Sequence, residues 1–151
     1  MTDNAQNQPQ AHDEPFFTED DIIHSYTRAD ALEDGNLVDV SQWCGGMFTV
    51  QTVVTRSVWE DCIEWSKEDT ERTGMGQDTR GRAHDVLWLA FLTARSKRGS
   101  SDQRREFDVY RIPRHHKKGQ RIGAQRVRLA VVVGPGDHME PVITIMQANE
   151  D

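Results

Sequence analysis

From Ile22 onward, short apolar groups alternate with turn-forming residues in a pattern that can be parsed into elements. Thr27-Arg-Ala-Asp30 sets a hydroxyl three residues ahead of a carboxylate, a variant of the capping box. It predicts a short helix to Asp34, stopped by Gly35 at the C′ position. Leu37–Val40 reads as a short strand. Ser41–Cys44 reads as one helical turn broken by Gly45-Gly46, and Met47–Thr55 alternates as a strand does. Ser57-Val-Trp-Glu60 is a second capping box and predicts a helix to about Lys67, with Val58, Trp59, Cys62 and Ile63 on one stripe. Glu68–Gln77 is polar and reads as a loop. Asp78 or Thr79 then caps a longer helix to about Arg95, whose apolar run Val86–Leu92 marks it as the central buried helix.

Beyond the basic connection Ser96–Gln103 the period changes to two. Phe107–Ile112 is a strand ended by Pro113, and Arg114–Gln120 is a solvated basic loop. Val127, Leu129, Val131 and Val133 alternate along a strand that runs into Gly134-Pro-Gly-Asp137, a hairpin connection to a last strand, Pro141–Met146. Helices precede a run of strands, so the fold class is α+β: two main helices packed on a three- to four-stranded antiparallel sheet. Residues 1–15 have almost nothing to bury and are expected to form a disordered tail ahead of a single α+β domain at 16–151.

Length and composition narrow the setting. The chain has 151 residues, 36% hydrophobic and 28% charged, which suits one domain. No apolar run approaches the roughly 20 residues of a membrane-spanning helix. The opening MTDNAQNQPQ lacks the basic and apolar regions of a secretory signal. Two cysteines, Cys44 and Cys62, make no disulfide framework, so a cytoplasmic location is expected.

The net charge of −7 conceals a split. Residues 1–70 carry 15 Asp/Glu and only Arg28, Arg56 and Lys67, whereas residues 71–134 carry 15 Lys/Arg against 6 Asp/Glu. Such asymmetry points to nucleic acid or to a charged partner, or else to acidic and basic faces that neutralise each other in the fold.

A resemblance adds context. The run Tyr26-Thr-Arg-Ala-Asp-Ala-Leu-Glu-Asp-Gly-Asn-Leu-Val-Asp-Val-Ser41 resembles the opening signature of a family of small uncharacterised proteins carried by bacterial plasmids, phages and integrated elements. Val54-Thr-Arg-Ser-Val-Trp-Glu60, Gly76-Gln-Asp-Thr-Arg-Gly-Arg82 with Asp85-Val-Leu-Trp88, and Leu129–Met146 extend the likeness over most of residues 22–147. Trp43-Cys-Gly-Gly46 and His84 depart from it. The resemblance implies an accessory protein of a mobile element and supplies no catalytic residue, cofactor or metal.

Three functions compete on this sequence. In the first, a non-enzymatic protein binds a host protein partner, as an inhibitor of a host defence system would, through two acidic clusters: Asp30, Glu33 and Asp34, and then Glu60, Glu64 and Glu68. The last three are spaced i, i+4, i+8, which on one helix would make a self-repelling row that a cationic partner relieves. In the second, the basic segment 95–128 binds nucleic acid through Arg104, Arg105, Arg114, Lys117, Lys118 and Arg121. In the third, a small ribonuclease-like enzyme uses His24 or His84 as acid and base, with Tyr26, Arg28, Thr55, Arg56, Arg80 and Arg82 around the phosphate.

Smaller motifs have two readings each. The loop Gly74–Gly81 is an anion cradle or a capped connection. His115-His116 is a metal pair or part of the basic loop, and Cys44 with Cys62 is a zinc half-site or core packing. Trp59 and Trp88 fall on faces expected to be buried, while Trp43 and Trp65 are candidate interface anchors.

Overall fold

A computed structural model describes residues 25–96, 103–117, 119–120 and 122–150. The expected tail at 1–15, together with His24, Lys118 and Arg121, lies outside the described residues. Helix α1 (Arg28–Glu33) begins with the expected reciprocal cap between Thr27 and Asp30, and Gly35 follows its end at φ +77. Strand β1 (Leu37–Asp39) leads to a 3-10 turn, Ser41–Trp43, and then to β2 (Thr52–Thr55). The expected strand over Met47–Thr55 is therefore confined to its last four residues.

The next helix corrects the sequence reading. It is capped by Thr55, whose side chain accepts from Val58 N–H, and α2 (Arg56–Val58) passes directly into a π turn, Trp59–Ile63. Glu64 N–H closes that turn on Trp59 O at 2.8 Å, and Glu64 then turns extended at ψ 132. The segment expected to be a polar loop instead contains α3 (Lys67–Thr73), opened by a full capping box between Ser66 and Asp69. Its end is Gly74, left-handed at φ 72. Helix α4 (Thr79–Arg95) is as expected, with Asp78 as its cap.

Strands β3 (Arg104–Arg111), β4 (Gln125–Pro135) and β5 (Pro141–Gln147) complete one five-stranded sheet in the order β1-β2-β5-β4-β3. The sheet is mixed and not antiparallel throughout, because β2 runs parallel to β5 with Val53 opposite Thr144. The β3–β4–β5 meander is antiparallel, as is the β1–β2 pair. Both join through β5, whose Val142, Ile143, Ile145 and Met146 are buried on its two faces. Burial on both faces is what a central strand needs, and it removes the alternation that marks an edge.

The main core lies between the sheet and α4. Phe107, Val109, Leu129, Val131, Ile143 and Ile145 meet Ala83, Val86, Leu87 and Ala90 of the helix, with Val58, Cys62 and Ile63 closing one end. Residues 83, 86, 87 and 90 repeat at the i, i+3, i+4, i+7 interval of one helical face. The sheet covers that face only. Trp88 and Leu92 therefore remain 44% and 46% exposed, which corrects the expectation that the whole apolar run is buried. No helix among the described residues is long and apolar enough to cross a membrane.

Candidate functional site

Part of the split charge is neutralised inside the molecule, in ion pairs between the two halves of the chain. Asp69 is 2% exposed yet carries a carboxylate. Ser66 N–H, Arg72 and Arg114 all donate to it, at 2.8, 2.6 and 2.9 Å. Burial alone would raise this carboxyl's pKa, but the hydrogen bonds outweigh burial and hold it well below the usual range. Arg114 also pairs with Glu64 at 2.8 Å, and its pKa is raised by these carboxylates in spite of its own burial. Arg111 grips Asp61 with Nε and Nη2, leaving its buried Nη1 without a hydrogen-bond partner.

Arg82 has a different task. It is buried, lies 5.0 Å from the centre of the Trp65 ring, and donates to the carbonyls of Ile63, Asp61 and Ile112. The π turn exposes the first two carbonyls at its end, where no helical N–H follows to bond them. Arg82 thus ties that turn to the end of β3, and it is not free to meet a phosphate. Trp65 lies beneath it with Nε1 bonded to Thr70 Oγ1, so it is a core residue and not an interface anchor.

The acidic candidates are correspondingly dispersed. Because the helix ends at Ile63, Glu60, Glu64 and Glu68 do not line one helical face. Glu60 pairs with Arg56 at 3.0 Å, Glu64 with Arg114, and Glu68 stands in the first turn of α3. Asp30 caps α1, Asp34 accepts from Tyr26 Oη at 3.1 Å, and Glu33 is exposed.

The basic candidates also turn inward. Arg105 donates to the carbonyls of Thr93, Ala94 and Ser96 and so closes the last turn of α4, while Arg104 reaches Met146 Sδ and Ala148 O. Arg128 pairs with Glu106 and Asp108 across the β3–β4 ladder. Lys117 and Arg126 form no ion pair among the described residues. In the loop expected to be fully solvated, His116 is 4% exposed, with Nδ1 2.6 Å from Pro113 O.

Among the described groups proposed for phosphodiester chemistry, Arg28, Thr55 and Arg56 do not join Arg80 and His84. Arg28 reaches Gln51 Oε1, Thr144 Oγ1 and Ile143 O on the sheet, Arg56 is held by Glu60 and Gly35 O, and Thr55 caps α2. The Gly74–Gly81 loop is closed to anions at its most suitable point, because Asp78 Oδ1 accepts from Gly81 N–H at 2.7 Å. Thr79 Oγ1 is likewise tied to the backbone of Trp65. Cys44 and Cys62 belong to the core, and burial pushes the Cys62 thiol up to about 12. Among the described residues no three of His, Cys, Asp and Glu gather into a group that could hold a metal.

Arg80 and His84 remain together, and they open onto a surface that sequence reasoning missed. A cleft of about 320 Å³ lies between the first half of α4 and the chain after β1. Arg80, His84 and Trp88 form its helical wall at the i, i+4, i+8 interval. Gln42, Trp43, Gly45 and Met47 form the other wall. Gly45 and Gly46 build that wall: Met47 N–H bonds Cys44 O at 2.8 Å, and the two intervening residues have φ +54 and +88. Two central residues with positive φ are the signature of a type I′ turn, which glycine enters without steric cost. The turn folds Met47 back beside Trp43.

Rings continue on both sides of the cleft. Trp43 stacks on Trp59 with planes 6° apart and centroids 5.6 Å apart. Across the cleft His84 stacks on Trp88, Trp88 meets Phe91 at a tilt of 36°, and Phe91 meets Phe48 edge-on. A second depression along Gln77, Asp78, Arg82 and Asp85 adjoins it and shares His84. The sequence signal for this site was the length of the apolar run in α4: seven consecutive residues must point to every side of a helix, and a single sheet can bury only some of them.

Fold and cleft together define a small α+β protein with an aromatic-walled cleft. A family model matches residues 14–151, and the chain belongs to that family, a family of unknown function, DUF6573. Comparison with curated proteins gives no match, and comparison with solved structures gives none either.

Proposed function

We propose that the chain is a non-enzymatic, partner-binding accessory protein of a mobile genetic element, an inhibitor of a host defence complex that holds a protein partner on the outward stripe of α4. The observation that carries this reading is the exposure of Trp88 and Leu92 beside the cleft. A large aromatic and a leucine on adjacent turns of a surface helix form an apolar patch of the kind that partners cover, and tryptophan is favoured at the centres of interfaces. The mobile-element setting rests on the sequence resemblance over residues 22–147. Defence inhibition is the role that this setting suggests for a chain in which Arg28, Thr55, Arg56 and Arg82 are engaged in holding the fold.

Direct nucleic-acid binding by residues 95–128 has less support, because among the described residues Arg104, Arg105, Arg111 and Arg114 are engaged by the protein's own carbonyls, sulfur and carboxylates. Affinity capture from nuclease-treated host lysate, read by mass spectrometry, separates the two readings. A stoichiometric protein that survives nuclease and is lost with Leu92→Glu is expected. Nucleic acid alone, or a partner that disappears with nuclease, would overturn the reading.

A further inference from the structure

We infer that the cleft between Trp43 and Trp88 is the receptor for one apolar side chain of an acidic peptide segment in the partner. This inference rests on the partner-binding reading and names the chemistry that the site selects. Its first support is composition. In a chain of net charge −7, no aspartate or glutamate among the described residues lines this cleft, whereas Arg80 does; Asp78 and Asp85 line the adjoining depression instead. Arg80 is solvent-exposed and forms no ion pair among the described residues.

The second support is shape. The volume of about 320 Å³ is at the lower limit of small-molecule pockets, roughly 300–1,000 Å³, and accommodates a single phenylalanine or leucine side chain. Trp43, Met47 and Trp88 supply apolar and π surface on both walls. Arg80 sits one turn of α4 from His84 and two from Trp88, so a carboxylate flanking the anchor meets its guanidinium while the anchor occupies the cleft.

The third support is continuity. Leu92 lies one turn beyond Trp88 on the same outward stripe, giving the segment a second apolar contact along the helix. A single nucleic-acid strand would also find rings here, but it would need a track of phosphate-binding cations, and among the described residues this cleft offers one arginine, Arg80.

The test uses fluorescein-labelled, capped heptapeptides of aspartate and glutamate with a central phenylalanine, followed by anisotropy and by the fluorescence of Trp43 and Trp88. Matched peptides replace the phenylalanine by alanine or the acidic residues by lysine, and a labelled thymidine oligomer is the nucleic-acid probe. The acidic phenylalanine peptide is expected to bind at least tenfold tighter than the alanine and lysine peptides, with a change in tryptophan emission. Arg80→Glu, an exposed substitution, is expected to weaken it at least tenfold with an unchanged thermal melt. Equal binding of the three peptides, indifference to Arg80→Glu, or preference for the oligomer would overturn the inference. If lysate capture stays sensitive to Leu92→Glu while no peptide binds, only this inference fails. Peptide binding without any captured protein would sink the partner reading and leave the cleft's selectivity standing.

Discussion

Asp69 and Arg114 lie 45 positions apart in sequence and meet in a 2.8 Å ion pair in which the carboxylate is almost wholly buried. One partner comes from the acidic half of the chain and the other from the basic half. The same arginine reaches Glu64, and Arg111 repeats the pattern with Asp61. The charge asymmetry that suggested external partners is in this region a device that docks the π turn and α3 against the end of β3.

Removing one side of this pair should cost more than losing a surface ion pair. Arg114→Ala leaves the Asp69 carboxylate buried with Arg72 as its remaining cation, and the loss is expected to be about 3 kcal/mol in urea unfolding. Arg56→Ala, which breaks an exposed pair with Glu60, should cost at most about 1 kcal/mol.

The same carboxylate makes stability acid-sensitive. The folded state holds the Asp69 pKa below the ordinary 3.8, so at low pH the unfolded chain binds the proton first. Its contribution is therefore fully present above about pH 5 and is lost as pH falls through the unfolded value toward the folded one. Asp69→Asn should flatten the fall in melting temperature below pH 5 and lower stability near neutrality. An unchanged acid limb in that variant would refute the assignment.

Arg82 should tolerate no lysine. Its planar fork serves three carbonyls and lies over Trp65, and a single ammonium cannot reproduce that geometry. Arg82→Lys is expected to destabilise by about 2 kcal/mol or more in thermal or urea unfolding.

Arg105 distinguishes a helix cap from a phosphate contact. Arg105→Ala should release the carbonyls of Thr93, Ala94 and Ser96, cost about 1 kcal/mol, and speed amide exchange at Ser96, whose N–H bonds Thr93 O. A nucleic-acid role would instead appear as a reduced salt slope of binding with no change in exchange.

Legibility in the sequence followed the range of the forces involved. Local signals were readable: the Thr27/Asp30 cap, Gly35, α4 and the β3–β5 meander follow from spacings within a few residues. The Ser66/Asp69 box was equally local, but it was hidden by running the preceding helix through to Lys67. The early stop comes from long-range bonds, since Arg82 takes the carbonyls that another helical turn would have used. The parallel β2–β5 pairing joins segments about ninety residues apart, and no local pattern specifies it. At the site, the i, i+4 spacing of Arg80 and His84 is legible in the sequence, but the wall that Trp43 and Met47 place opposite them is not. Trp88 was assigned to the core because an apolar run does not say how many sides of its helix will be covered.

The most direct test of the partner-binding account compares two surface variants against the partner captured from nuclease-treated lysate. Leu92→Glu alters the outward stripe of α4, and Glu68→Lys alters the acidic surface, both at exposed positions. With matched thermal melts, the account predicts that Leu92→Glu weakens binding at least tenfold while Glu68→Lys changes it less than twofold. Binding that survives Leu92→Glu and collapses with Glu68→Lys would contradict it and return the site to the acidic surface.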